Sequence, residues 1–190
     1  MESENYQEYK ERPIEILPAT SEDARGIHEV FYKTWLATYP NEEAGVTRDD
    51  IEDMYKDAFT DEALQKRVEW LERPPEGVKV LIAKDGERVI GVCTAIKREA
   101  ENQLQTIYVL PEYQGRGIGT MLWQESEKFF DPEKDTVIDV ADYNANAIKF
   151  YEKLGFADSG KPHRQNERFK MKSGAMISEM EMRKRRETEN

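Results

Sequence analysis

Between Tyr108 and Thr120 the chain reads Tyr-Val-Leu-Pro-Glu-Tyr-Gln-Gly-Arg-Gly-Ile-Gly-Thr, a strand-like run closed by Pro111 and then glycine at three alternate positions, Gly115, Gly117 and Gly119. Glycine loses more freedom on ordering than any other residue, and a plain strand-to-helix turn needs at most one or two. The helical pattern that follows, from Gly117 to Phe130, puts these glycines where a strand enters a helix. Unpaired backbone N–H groups and the positive end of the helix dipole converge there, the usual makings of a phosphate site. Two familiar nucleotide loops fail on counting. A GxGxxG read from Gly115 or Gly117 requires glycine where Thr120 or Leu122 stands, and no Gly-Lys-Ser/Thr follows for a P-loop.

The flanking pattern is that of a single alternating α/β unit without repeats. Ile14–Leu17 reads as a short strand, and Thr20-Ser21-Glu22-Asp23 supplies a cap and first-turn acids for a helix whose Ile27, Val30, Phe31 and Trp35 share one face up to Tyr39-Pro40. Thr47 caps a second helix to about Phe59, with Asp49, Asp53 and Asp57 recurring on one side, and a third ends before Pro74-Pro75. Strand periodicity then takes over in Val78–Ala83 and Arg88–Ile96 about an Asp85-Gly86 turn, and again in Gln103–Leu110 and Thr136–Val140. A helix from Ala145 to Leu154 with Gly155 at its end precedes a last strand, Met176–Met182, whose methionines alternate toward the core. The expected organisation is a flexible segment 1–12, one domain over 13–183 and a flexible tail 184–190. Its fold class is α/β (α+β), a mixed, mainly antiparallel sheet of roughly six or seven strands, splayed where the strand ending at Val109 meets that of Asp139.

Composition narrows the chemistry. Of 190 residues, 28 are Lys or Arg and 39 Asp or Glu, a net charge of −11 that opposes broad contact with nucleic-acid phosphates. The one basic cluster, Arg183–Arg186, reads as a solvated end. No apolar run is long enough to cross a bilayer, and the acidic opening Met1–Asn5 is unlike a secretory signal, so a cytoplasmic protein is expected. Cys93, the sole cysteine, sits in an apolar run and reads as an inert core thiol, while His28 and His163 have no metal-ligand spacing, so no metal is expected.

At the glycine loop the sequence resembles the GNAT superfamily of acetyl-CoA-dependent N-acetyltransferases. Gln114-Gly115-Arg116-Gly117-Ile118-Gly119 matches that family's Gln/Arg-x-x-Gly-x-Gly/Ala loop, and Asn144, Ala147, Phe150, Tyr151, Gly155 and Phe156 match its Asn-x-x-Ala-x-x-Phe-Tyr-x-x-x-Gly-Phe. The resemblance spans Ile14 to Met182 and is sharpest over 104–156. It implies that acetyl-CoA is the cosubstrate, with the main chain of Ile107, Tyr108 and Val109 holding the pantetheine arm. Gln114, Gly115, Arg116, Gly117, Ile118, Gly119 and Thr120 would hold the diphosphate, Asn144 would contact the cofactor past the thioester, and Tyr151 would lie at the sulfur as the acid. Gln105-Thr106 stands where many relatives carry a glutamate base. Asp139, five residues before the motif asparagine, occupies the base position of the branch similar to ribosomal-protein N-terminal acetyltransferases.

The Thr34–Tyr39 segment and the acidic second helix loosely resemble bacterial and archaeal spermidine/spermine acetyltransferases, which implies a polyamine or another primary amine as acceptor. A peptide N-terminus is the alternative acceptor, and a non-catalytic acyl-CoA sensor is the alternative class. The expected partners are therefore a small amine or a peptide N-terminus, with no nucleic acid and no membrane, and a homodimer is left open.

Overall fold

The computed structural model describes residues 13–186; the expected flexible segment 1–12 and residues 187–190 of the expected tail lie outside them. The elements in order are β1 (Glu15–Pro18), α1 (Ala24–Thr38), α2 (Arg48–Tyr55), α3 (Asp61–Glu72), β2 (Val78–Asp85), β3 (Arg88–Lys97), β4 (Asn102–Val109), α4 (Ile118–Glu127), β5 (Thr136–Ala141), α5 (Ala145–Lys153), β6 (Ala157–Asp158), β7 (Arg164–Gln165) and β8 (Ser178–Lys184). The strands form one sheet in the order β1-β2-β3-β4-β5-β8-β6, with β7 also beside β8. Every neighbouring pair is antiparallel except β4–β5. The mixed, mainly antiparallel architecture expected from the sequence is present, and the strand count of eight exceeds six or seven because β6 and β7 are two-residue strands with no sequence signal of their own.

The parallel pair is what shapes the molecule. β4 and β5 are in register only at Asn102↔Thr136 and Gln103↔Val137. Next to this contact the β3–β4 register slips between Thr94 and Ala95, leaving Gln105 as the extra residue of a bulge that bends β4 away. Asn102, 1% exposed, pins the closed end: its Nδ2 donates to the Asp131 carbonyl at 2.8 Å and the Lys134 carbonyl at 3.2 Å, and its Oδ1 accepts from Asp131 N at 3.0 Å. Past that pin, β4 keeps β3 on one side and has no ladder with β5 on the other.

The two sheet faces are covered by different helices. Gly91, Cys93 and Ile107 turn toward α4: a Cβ on Gly91 would meet Leu122 at 3.2 Å, and Ile107 Cγ2 lies 3.8 Å from where a Gly119 Cβ would stand. Tyr108, one residue on, packs edge-to-face on Phe31 of α1, ring centroids 5.1 Å apart, as the alternation of strand side chains requires. The main core joins both faces through Ile27, Val30, Ile90, Leu104, Leu122 and Ile138. A second cluster, Trp35, Val46, Ile51, Ala141, Met171 and Ile177, fills the open end of the splay behind α1.

Two expectations need correction. α2 stops at Tyr55, so Asp57 is outside the helix, and the acid that matters locally is Asp50. It closes a capping box with Thr47 and also accepts from Ser173 N at 2.8 Å and Ser173 Oγ at 2.9 Å, tying α2 to the segment before β8. The last strand begins at Ser178 rather than Met176, and Lys184, assigned to the tail, is its final residue. Met180 and Met182 do face the core, but ahead of the strand it is Ile177 that is buried. Among the described residues no helix is long and apolar enough to cross a membrane.

Candidate active site

The splay opens a cleft of about 710 Å³ that runs between the separated strands and reaches both faces of the sheet. On the α4 face its wall is the glycine loop. Gly115 and Gly117 have φ of +77° and +79°, in the left-handed region, and a Cβ on either would meet no atom within 4 Å, so the backbone there lies open toward the cleft. Gly117 is the N-cap of α4 and provides no side-chain cap, which leaves the first-turn N–H groups for an outside acceptor. The unpaired edge of β4 at Ile107, Tyr108 and Val109 lines the same space, as do Gln114, Ile118, Gly119 and Thr120.

The individual roles are less uniform than the motif suggests. Gln114 turns its amide back to the Val109 carbonyl at 3.0 Å, holding the loop against β4. Arg116 is not in the cleft wall; it donates to the Glu112 carbonyl at 3.2 Å and lies over the Tyr113 ring. Gly119 sits close against α5: a Cβ there would stand 3.1 Å from Phe150 Cζ, so the ring would have to give by a few tenths of an ångström. Asn144 is the N-cap of α5, its Oδ1 accepting from Ala147 N at 3.1 Å, so its Nδ2 is the group it can offer into the cleft.

Tyr151 of α5 reaches the cleft from below, 5% exposed, with no hydrogen-bond partner for its hydroxyl among the described residues. Burial raises its pKa well above the ordinary phenol value, and the neighbouring Tyr108 and Cys93 add to the effect, so the hydroxyl stays protonated. Cys93 lies under it, fully buried and pushed up to about 12 by burial, in keeping with an inert thiol.

The α1 face has a different character. Tyr39 and Tyr108 place their hydroxyls 3.1 Å apart, and Tyr143 donates to the Tyr39 carbonyl at 3.1 Å. Burial raises the Tyr39 phenol well above its ordinary value, with Tyr108 the next cause. Asp139 lines the cleft on the same side but is not a free carboxylate: the guanidinium of Arg164 on β7 lies 2.5 Å from its Oδ2 and 4.0 Å from Glu179 Oε2. Glu179 is shifted upward by burial, against the opposing hydrogen bond from Asn166 Nδ2 at 2.9 Å. None of Asp49, Asp53 and Asp57 lines the cleft.

The model of the acetyltransferase (GNAT) family matches residues 45–156, which include β4, the glycine loop, β5 and the Asn144–Phe156 motif. The chain belongs to the GNAT acetyltransferase family. Curated proteins give no match. Solved structures share the GNAT fold. The PaiA N-acetyltransferase of Thermoplasma acidophilum, in complex with coenzyme A, is 23% identical, with 92% of this chain and 99% of that one covered at a TM-score of 0.68. The yncA structure from Salmonella typhimurium, with its cofactor acetyl-CoA, is 21% identical over 94% and 97% at 0.61. The ribosomal-protein-S18-alanine N-acetyltransferase of Escherichia coli is 16% identical over 94% and 97% at 0.60.

Most of the residues named from the sequence line the α4 side of this cleft, and much of the opposite side was not named. Thr34, Tyr39, Thr106 and Tyr143 line that side, and Arg164 and Glu179 are tied to it through Asp139. They come from five separate stretches of chain, and from the sequence only the Thr34–Tyr39 likeness and Asp139, by its spacing from Asn144, pointed to that side.

Proposed function

We propose that this chain is an N-acetyltransferase that moves an acetyl group from acetyl-CoA to a primary amine. The observation that carries the reading is the convergence of three features on one cleft: an unpaired β4 edge, an uncapped α4 N-terminus behind two left-handed glycines, and the hydroxyl of Tyr151. A pantetheine arm bears amides that pair with an open strand edge, and a diphosphate suits a helix N-terminus. Acetyl-CoA supplies the activated acyl group as a thioester. Tyr151 donates its phenolic proton to the departing sulfur, which would otherwise leave as a thiolate. Once Arg164 swings off its carboxylate, Asp139 takes the proton that the acceptor's ammonium must lose; the free amine then attacks the thioester carbonyl, forming the C–N bond as the C–S bond breaks.

Polyamines are the acceptors suggested by the likeness at Thr34–Tyr39. A peptide N-terminus is the second reading, favoured by the position of Asp139 in the cleft wall. The test is twofold. Acetyl-CoA should raise the thermal unfolding midpoint, because it binds the native state, and the protein should release CoA thiol when given spermidine or short peptides. Protection without thiol release from any amine would convert the reading to an acyl-CoA sensor; absence of both would remove it.

A further inference from the structure

Where β5, β7 and β8 meet, the carboxylates are not equally supplied with cations. Asp139 stands opposite Glu181 across β5–β8, and Glu179 stands opposite Arg164 across β7–β8, so these four side chains project from one face of the sheet. Glu181 has Lys161 at 2.6 Å and Arg183 at 3.1 Å. Asp142, just past β5, has His163 at 3.0 Å and accepts from Ser178 Oγ. Glu179, its side chain 12% exposed, has no cation of its own among the described residues: the Asn166 amide holds it, and Arg164 stands 4.0 Å off while pairing with Asp139 at 2.5 Å. Burial raises the Glu179 pKa, the Asp139 charge adds to this, and Arg164 offsets it in part. One guanidinium thus serves two carboxylates, and with both ionised the group of three is short of one positive charge.

We propose that the acceptor's ammonium supplies the missing charge, and that Arg164 is a positioning residue with two docks: it covers Asp139 in the empty cleft and moves to Glu179 when the ammonium takes its place. Asp139 lines the cleft and Glu179 does not. An entering amine therefore meets the first carboxylate, while the displaced guanidinium already stands beside the second. Arg164 is free to move, because its side chain is 55% exposed and no other carboxylate among the described residues holds it. Glu181 and Asp142 do not compete for it, since each has its own cation. Removing the cation from one of two paired charges is costly unless another replaces it. A neutral molecule brings no replacement, so the exchange admits an ammonium and refuses an uncharged analogue of the same shape.

The exchange rests on the acetyl-transfer reading for the arrival of an amine at Asp139, so its test reads binding apart from turnover. The probes are propylammonium chloride and 1-propanol, titrated calorimetrically into the CoA-loaded protein at pH 7 and fixed ionic strength. Wild-type protein should bind the ammonium at least about tenfold more tightly than the alcohol. Glu179→Gln keeps an acceptor for Asn166 but removes the second dock, and should weaken ammonium binding about tenfold; Glu179→Asp should restore most of it. Arg164→Gln removes the competitor and should tighten binding, and adding Glu179→Gln to it should then cost less than about threefold. Where an amine is acetylated, the Glu179→Gln loss should fall on KM rather than kcat. Equal losses from Glu179→Gln with and without Arg164 would reduce Glu179 to a distant charge and overturn the proposal, as would a wild type that does not distinguish the two probes. A crystal structure of the wild type with CoA and propylammonium needs no variant: Arg164 on Glu179 is the expected result, and Arg164 still on Asp139 overturns the exchange. If the exchange is seen and no amine is acetylated, the transfer reading fails by itself.

Discussion

Tyr151→Phe separates catalysis from stability more cleanly than any other single substitution in this cleft. The hydroxyl it removes makes no protein hydrogen bond among the described residues, while the ring packs on Phe150 and Phe156 with centroids 5.1 and 5.8 Å away. Phenylalanine keeps those contacts and strands no partner, so the stability change should stay within about 0.5 kcal/mol, roughly 1–2 °C for a domain of this size. Acetyl-CoA protection should be unaltered. If the phenol protonates the leaving sulfur, turnover should fall by about 10²-fold or more, equivalent to roughly 2.7 kcal/mol of barrier. Thiol release under saturating acetyl-CoA measures the rate, and a thermal melt with and without acetyl-CoA measures the rest. Burial holds the phenol above its ordinary value, so the wild-type profile should show no loss of activity from its ionisation near pH 10. A variant that melts normally and turns over at the wild-type rate would refute the acid assignment outright.

The two loop glycines should respond differently. Gly117→Ala places a Cβ in left-handed backbone, costing about 1–2 kcal/mol, and in the open space before α4, so acetyl-CoA protection should drop sharply; Gly119→Ala, where the Phe150 ring must give slightly, should keep most of it in the same melt. Asp139→Asn should slow transfer chiefly below the acceptor's own pKa and recover toward high pH, and a pH–rate profile overlaying the wild type would exclude it as base. Asp50 is opposed by burial, but the donors from Thr47 and Ser173 outweigh it and lower the carboxyl from 3.8 to about 2. Its contribution is thus complete above pH 3.8 and lost as pH falls toward 2. Asp50→Asn should flatten that acid limb by about 2 kcal/mol in denaturant titrations at stepped pH.

What the sequence determined by itself is whatever depends on local spacing. Apolar periodicity and caps placed the helices and the long strands. The glycines at 115, 117 and 119 marked the turn from β4 into α4 because only left-handed or closely packed backbone calls for them so densely, and the Asn144–Phe156 pattern marked α5 and its tyrosine. Even there, one motif concealed different physics: Gly117 serves conformation, Gly119 serves the Phe150 contact, and Asn144 is first a helix cap. The tertiary structure alone decided how far β4 and β5 stay paired, since two residue pairs and the Asn102 pin set the size of the opening. It also decided the α1 wall. Arg164 reaches Asp139 only because β7, two residues long, lies beside β8, and that pairing leaves no periodic trace. Thr34 and Thr106 lie in segments that the sequence singled out, but nothing in it signals that their hydroxyls are buried without a partner. Whether a buried hydroxyl has a partner depends on what packs around it, and that is settled only when the sheet splays and α1 docks against it.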